Sequence, residues 1–132
     1  MTHKTIINIC LTLIALCWTM AIQAQRATVD GFNYDLNTQD MTAEVAKSTA
    51  TGDIVIPEKI TVDGVEFSVT RIGYEAFKDS KALTSVAMPS VTSIGYQAFK
   101  KCNALTSVKM PSVTSIATDA FYCCPSLTSV AM

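Results

Sequence analysis

Residues 94–115 read "IGYQAFKKCNALTSVKMPSVTS", and residues 72–93, directly before them, read "IGYEAFKDSKALTSVAMPSVTS". Seventeen of the 22 positions are identical, and residues 116–132 begin the same pattern a third time without finishing it. The register holds throughout: Ile72, Ile94 and Ile116; Phe77, Phe99 and Phe121; Leu83, Leu105 and Leu127; Val86, Val108 and Val130; Met88, Met110 and Met132. A fixed period of 22 residues falls in the range of stacked solenoid coils. One such unit is too small to bury its apolar side. Stacking it on a copy covers that side from both faces, which gives the chain a physical reason to repeat.

The unit can be read residue by residue. In "ALTSVKM" the apolar positions are Leu105, Val108 and Met110. Val108 and Met110 alternate as a strand requires and point inward, while Ser107 and Lys109 point out. Pro111 ends the strand, because it has no N–H for a ladder. "SVTSI" is a second β-branched run, with Val113 and Ile116 inward. "GYQAFKKC" turns the chain round, and Ala98, Phe99 and Cys102 share one side of an expected short helical turn. One coil is thus strand, bend, short strand and helical turn.

Outward from the repeat, residues 53–72 align with it as a degenerate coil. Ile56-Pro57 matches Met88-Pro89, and Val69-Thr70-Arg71-Ile72 matches Val91-Thr92-Ser93-Ile94. The extra residues between these anchors form two β-rich runs joined by Asp63-Gly64, a dipeptide suited to a two-residue hairpin turn. "GFNYDL", residues 31–36, alternates as a strand. Residues 25–71 therefore read as a β-rich N-terminal cap that shields the first coil's edge. Residues 72–132 read as three coils: 72–93, 94–115 and the incomplete 116–132.

At the N-terminus, His3 and Lys4 precede twenty uncharged residues that end in small ones. That pattern describes a secretory signal peptide over residues 1–24, with cleavage after Ala24 and Ile22 and Ala24 read by the peptidase. The competing reading is a retained anchor, since the apolar stretch is long enough to span a bilayer. A lipoprotein processed at Cys17 fits less well, because Leu16 is large. Cleavage leaves nine basic and eleven acidic residues, three cysteines and no membrane-inserting segment, in an oxidising compartment: the periplasm, the cell surface or the extracellular medium. The only His and the only Trp leave with the peptide. The net charge of -1 argues against nucleic acid as a partner.

"LTSVKMPSVTSIATDAF" and "SIGYQAFKKCNALTSV" resemble the BspA-type leucine-rich repeat of secreted and surface proteins in host-associated bacteria. "GDIVIPEKITVDGVEFSVTRIGYEAF" resembles the segment that leads into such repeats. The fold class is accordingly a β-rich, leucine-rich-repeat-like solenoid with an N-terminal β cap. Two departures are visible: the family repeat is often one residue longer before Ser-Val, and Ala117-Thr118 replaces Gly-Tyr in the third unit. The resemblance implies a non-enzymatic binding or adhesion role at the cell surface. It does not carry a ligand across.

The candidate binding surfaces follow from the coil. The strand face carries Thr84, Ser85 and Ala87, then Thr106, Ser107 and Lys109, then Thr128, Ser129 and Ala131. It is small, polar and flat, and repeat proteins bind along such faces. Lys78, Lys81, Lys100 and Lys101 form a basic strip, to be weighed against a simply solvated edge, with Tyr122 next in the column of Lys78 and Lys100. Tyr74 and Tyr96 make another column, read as covering the core edge. Cys102 and Cys124 share one position, held by Ser80 in the first coil. A disulfide between them is disfavoured, because equivalent side chains in stacked coils point in parallel; a small buried residue fits better. Cys123 is expected to face outward. Three cysteines without His or C-x-x-C make no zinc site, and no imidazole is left to activate a Cys nucleophile. No cofactor is expected, and the chain reads as no enzyme. Partners are expected to be a protein or glycan. The alternatives are a structural or assembly piece that self-associates, its uncovered edge at residues 127–132 pairing with another chain, or a truncated fragment of a longer surface protein.

Overall fold

The computed structural model describes residues 25–132. The signal-peptide reading of residues 1–24 lies outside them. Eleven strands run in order: β1 (Gln25–Val29), β2 (Phe32–Asn37), β3 (Thr42–Val45), β4 (Gly52–Val55), β5 (Lys59–Val62), β6 (Val65–Ile72), β7 (Leu83–Ala87), β8 (Ser93–Ile94), β9 (Ser107–Lys109), β10 (Ser115–Ile116) and β11 (Ser129–Ala131).

The repeat builds two parallel ladders. One sheet has the order β4-β7-β9-β11, and its partners Val86, Val108 and Val130 stand in register. The other has the order β1-β2-β3-β6-β8-β10, with Ile72, Ile94 and Ile116 in register, and β5 on the same edge of β6 as β8. Each 22-residue step therefore places a residue beside its own copy. The hairpin β5–β6 closes at Asp63 (φ 52°) and Gly64 (φ 81°), the positive pair that a two-residue turn needs. Asp30-Gly31 closes β1–β2 in the same way, a signal equally present in the sequence. β1 and β2 lie antiparallel beside β3 and cover that edge of the stack.

The expected helical turn is corrected: no helix occurs among the described residues. Residues 73–80, 95–102 and 117–124 are instead runs of tight turns. Alternate amides explain this. Ala76, Lys78 and Ser80 N–H donate three residues back, to Gly73, Glu75 and Phe77. Glu75, Phe77 and Asp79 N–H donate across to Tyr96, Ala98 and Lys100 of the next coil. Half of the amides serve the neighbouring coil, so no α-helical ladder can form. The geometry requires positive φ at Glu75, Gln97 and Asp119, and again at Asp79, Lys101 and Cys123. These sit third in their four-residue turns, as in a type II turn. The inward set of the turn stands: Ala98, Phe99 and Cys102 are fully buried. Ala117-Thr118 does not alter the third turn, since Ala120 N–H still donates to Ala117 and Asp119 keeps φ 59°.

The core is the stack of repeat residues. Ile72, Phe77, Leu83, Val86 and Met88 of the first coil, and their copies in the second, are all buried. The rings of Phe77, Phe99 and Phe121 stack at centroid separations of 5.3 and 5.2 Å. In the third coil Ile116, expected inward, is half exposed; among the described residues β10 is paired by β8 on one side only.

Candidate functional site

The strand face is the outer surface of β4-β7-β9-β11. Register sets two cross-strand rows on it. One runs Asp53, Ser85, Ser107, Ser129; the other runs Val55, Ala87, Lys109, Ala131. Strands about 4.8 Å apart leave no room for a deep pocket between such short side chains, so the surface is flat.

The hydroxyls of this face are engaged in two ways. Opposite the step from Gly52 to Asp53 the register shifts, and Thr84 is the extra residue of a bulge. The bulge turns Thr84 and Ser85 towards the same carboxylate: both hydroxyls donate to Asp53 Oδ1, each at 2.7 Å. Those two donors, Thr84 first, hold the Asp53 carboxyl below its usual range. Thr106 and Thr128 hydroxyls donate to the carbonyls of Thr84 and Thr106 respectively, so they are tied into the stack. Asp53 is the one charged residue this face gains from outside the repeats. Sequence reasoning missed it because it lies in the degenerate coil; its place one residue before the Ile54 that aligns with Val86 was the available signal.

The lysine column is more engaged than its sequence suggests. Lys78 Nζ lies 2.7 Å from Glu75 Oε1, and that bond is the main reason the Lys78 ammonium is pushed up and the Glu75 carboxyl down. Gln97 is buried, and its partners set its amide: oxygen accepting from Tyr96 hydroxyl and Lys100 Nζ, each at 2.9 Å, nitrogen donating to Glu75. Lys100 Nζ also stands 5.4 Å from the centre of the Tyr122 ring. Lys81 and Lys101 are exposed.

Cys102 is buried, Cys124 half-buried and Cys123 exposed, and all three are free thiols. Cys102 Sγ donates to Phe77 O and Cys124 Sγ to Phe99 O, each to the preceding coil. Burial pushes the Cys102 thiol up to about 12. Both groups sit as protonated packing residues. Among the described residues, no group of three or more His, Cys, Asp or Glu could hold a metal. No helix of the described residues is long and apolar enough to cross a membrane.

The stacked parallel ladders define a leucine-rich-repeat type of solenoid. Residues 70–132 match the family model described as "BspA type Leucine rich repeat region (6 copies)", and the repeat part of the chain belongs to that family. A crystal structure of a leucine rich cell surface protein from Faecalibacterium prausnitzii A2-165 is similar at 31% identity and TM-score 0.72, over 81% of this chain and 30% of that one. Leucine-rich repeat proteins from Bacteroides capillosus (23% identity, TM-score 0.61, 81% of this chain and 97% of that one) and Bacteroides ovatus (21%, 0.55, 80% and 41%) share the fold. The chain thus spans under a third of the length of the Faecalibacterium protein. No curated protein matches it.

Proposed function

We propose that the chain is a non-enzymatic binding module of adhesion type, exported with residues 1–24 removed and displayed outside the cell. It engages a protein or glycan partner across the strand face. The observation that carries this is the aligned pair of rows from Asp53 to Ser129 and from Val55 to Ala131, a flat face of small side chains with one anion and one cation. Its likeness to a protein described as a cell surface protein supports the location. The test has two parts. Cell fractionation with surface proteolysis should find the mature chain outside, beginning at Gln25. A binding screen of the purified protein against matrix proteins should find a partner whose affinity falls at least about tenfold in Ser107→Arg/Ser129→Arg. Cytoplasmic retention, or binding indifferent to both arginines, refutes the reading.

A second reading has its own observation. Ile116, Val130 and Met132 expose 42%, 49% and 70% of their surface on the open side of the last coil. Phe77 and Phe99 N–H each donate to the next coil, and Phe121 is the next residue in that series. A coil from a second copy would meet both needs by β-augmentation. Light scattering that shows growth with concentration supports this assembly; a monomer at every concentration rejects it.

A further inference from the structure

The other sheet carries a row of opposite character. Register aligns Arg26, Asp35, Glu44, Arg71, Ser93 and Ser115 across β1, β2, β3, β6, β8 and β10. Three open hollows lie along this row, of about 320, 360 and 370 Å³, and Glu44 lines all of them. With strands about 4.8 Å apart, six strands make a track roughly 24 Å long. A second bulge shapes it. The register shifts at Ala43 and Glu44, Thr70 is the extra residue, and Arg71 comes opposite Glu44 at 3.3 Å. Gly73 leaves space for the carboxylate, since a Cβ there would meet Glu44 Oε1 at 2.7 Å.

Tyr74 stands between two of the hollows. Its ring stacks on Tyr96 at 5.8 Å and 15°, yet the two residues expose 64% and 40% of their surface. They were expected to cover the core edge; they stand out from it. Gln97 holds the Tyr96 hydroxyl, so the ring pair is oriented in advance.

We propose that this track is a binding site for a neutral oligosaccharide. Three features select that chemistry. The charges along the hollows cancel, with Arg26, Lys47 and Arg71 against Asp35, Glu44 and Glu75. A polyanion or polycation would meet as many like charges as opposite ones. Carboxylates accept two hydrogen bonds side by side and guanidinium groups donate two, which suits paired sugar hydroxyls. Exposed tyrosine faces offer rigid apolar area at small entropic cost to the C–H face of a pyranose ring. An extended peptide is disfavoured over the hollows because β3 and β6, which line them, are paired on both edges and offer its backbone no free edge there. This site lies on a different sheet from the proposed strand-face interface, and the test keeps the two apart.

The experiment is saturation-transfer NMR on the purified protein with neutral gluco-, manno- and galacto-configured hexasaccharides, a heparin hexasaccharide and a library of decapeptides. At least one neutral hexasaccharide should bind, with affinity unchanged between about 50 and 500 mM salt. Tyr74→Ala should weaken it about tenfold or more, Tyr74→Phe should retain it, and Lys109→Ala on the strand face should leave it alone. Tyr74 is exposed enough that its removal leaves the core intact, which a matching melting curve verifies. Failure of every neutral hexasaccharide to bind overturns the proposal. So does salt-sensitive heparin binding alone, peptide binding alone, or sugar binding that Tyr74→Ala leaves unchanged.

Discussion

Phe99→Ala is the most direct probe of the stack. Phe99 is fully buried and lies between the rings of Phe77 and Phe121, at 5.3 and 5.2 Å. Truncating a buried Phe to Ala costs about 3–5 kcal/mol, more where the surroundings cannot close over the gap. Here they cannot. Backbone bonds of 2.7 Å from Phe77 N–H to Ala98 O and from Phe99 N–H to Ala120 O fix the coil spacing on either side. The cost therefore belongs at the upper end of the range, against a total stability of about 5–15 kcal/mol for a domain this size. At about 4–8 °C per kcal/mol, Tm should fall by roughly 15 °C or more in a far-UV circular dichroism melt. Phe121→Ala is the comparator: Phe121 is only half-buried and stacks on one side, so its loss should cost less. A Phe99→Ala variant melting within about 5 °C of wild type, or a Phe121→Ala variant equally damaged, would mean that the Phe99 ring is not held between two fixed coils.

Other substitutions test separate parts of the fold. Gly95→Ala should destabilise strongly, because its Cβ would lie 2.8 Å from the Gly73 carbonyl carbon and 2.9 Å from Ile72 O, and backbone cannot step aside; a near-normal melt would contradict this close approach. Tyr34→Phe should be neutral or stabilising by up to about 1 kcal/mol, since the buried hydroxyl has no hydrogen-bond partner among the described residues; a clear loss in urea titration would show that the hydroxyl contributes. Cys102→Ser with Cys124→Ser should fold at a cost of about 1–2 kcal/mol, and mass spectrometry of the oxidised wild type should find no Cys102–Cys124 crosslink. Burial raises the Cys102 thiol from 9.0 to about 12, so above pH 9.0 the unfolded chain releases a proton that the folded one retains. Stability from this group is whole below that pH and declines as pH rises towards 12, and under reductant the wild type should lose more stability on going alkaline than Cys102→Ser does.

What the sequence disclosed was whatever stacking repeats. Leu83, Val86 and Met88, like their copies in the next coil, could be placed inward from spacing alone, and they are buried. The Asp63-Gly64 hairpin was legible because its turn chemistry is local. The helical turn was not, because its competitor is not local. Spacing put Ala98, Phe99 and Cys102 on one side correctly, but half of that segment's amides bond to the next coil, and no single unit reveals this. The candidate surfaces divide in the same manner. Ser85, Ser107 and Ser129 follow from alternation, while Asp53 and the row from Arg26 to Arg71 depend on bulges and on pairing between segments far apart in sequence. The lysines show the reverse case. They look like a free strip in sequence, yet Lys78 is bound by Glu75 and Lys100 by Gln97 and Tyr122.

The same physics explains why the repeats are nearly, but not wholly, identical. A parallel stack in exact register brings each residue against its own copy, about 4.8 Å away. Apolar residues gain from that arrangement, so Ile, Phe, Leu, Val and Met repeat without change. Charges lose by it, since like charges side by side repel. The five differences between residues 72–93 and 94–115 are Glu75 to Gln97, Asp79 to Lys101, Ser80 to Cys102, Lys81 to Asn103 and Ala87 to Lys109. Four of them keep a charge from stacking on its like. The exception, Lys78 beneath Lys100, is the place where partners for the ammonium groups gather: the Glu75 carboxylate on the first, the Gln97 amide oxygen on the second, and Tyr122 rather than a third lysine above. Replacing Gln97 by Glu would complete a column of three acidic residues with Glu75 and Asp119, while Tyr122→Lys would complete a column of three ammonium groups. The second change should be the more harmful, because it also removes the ring that Lys100 stands over. Identity inside and alternation outside are thus two consequences of one geometry.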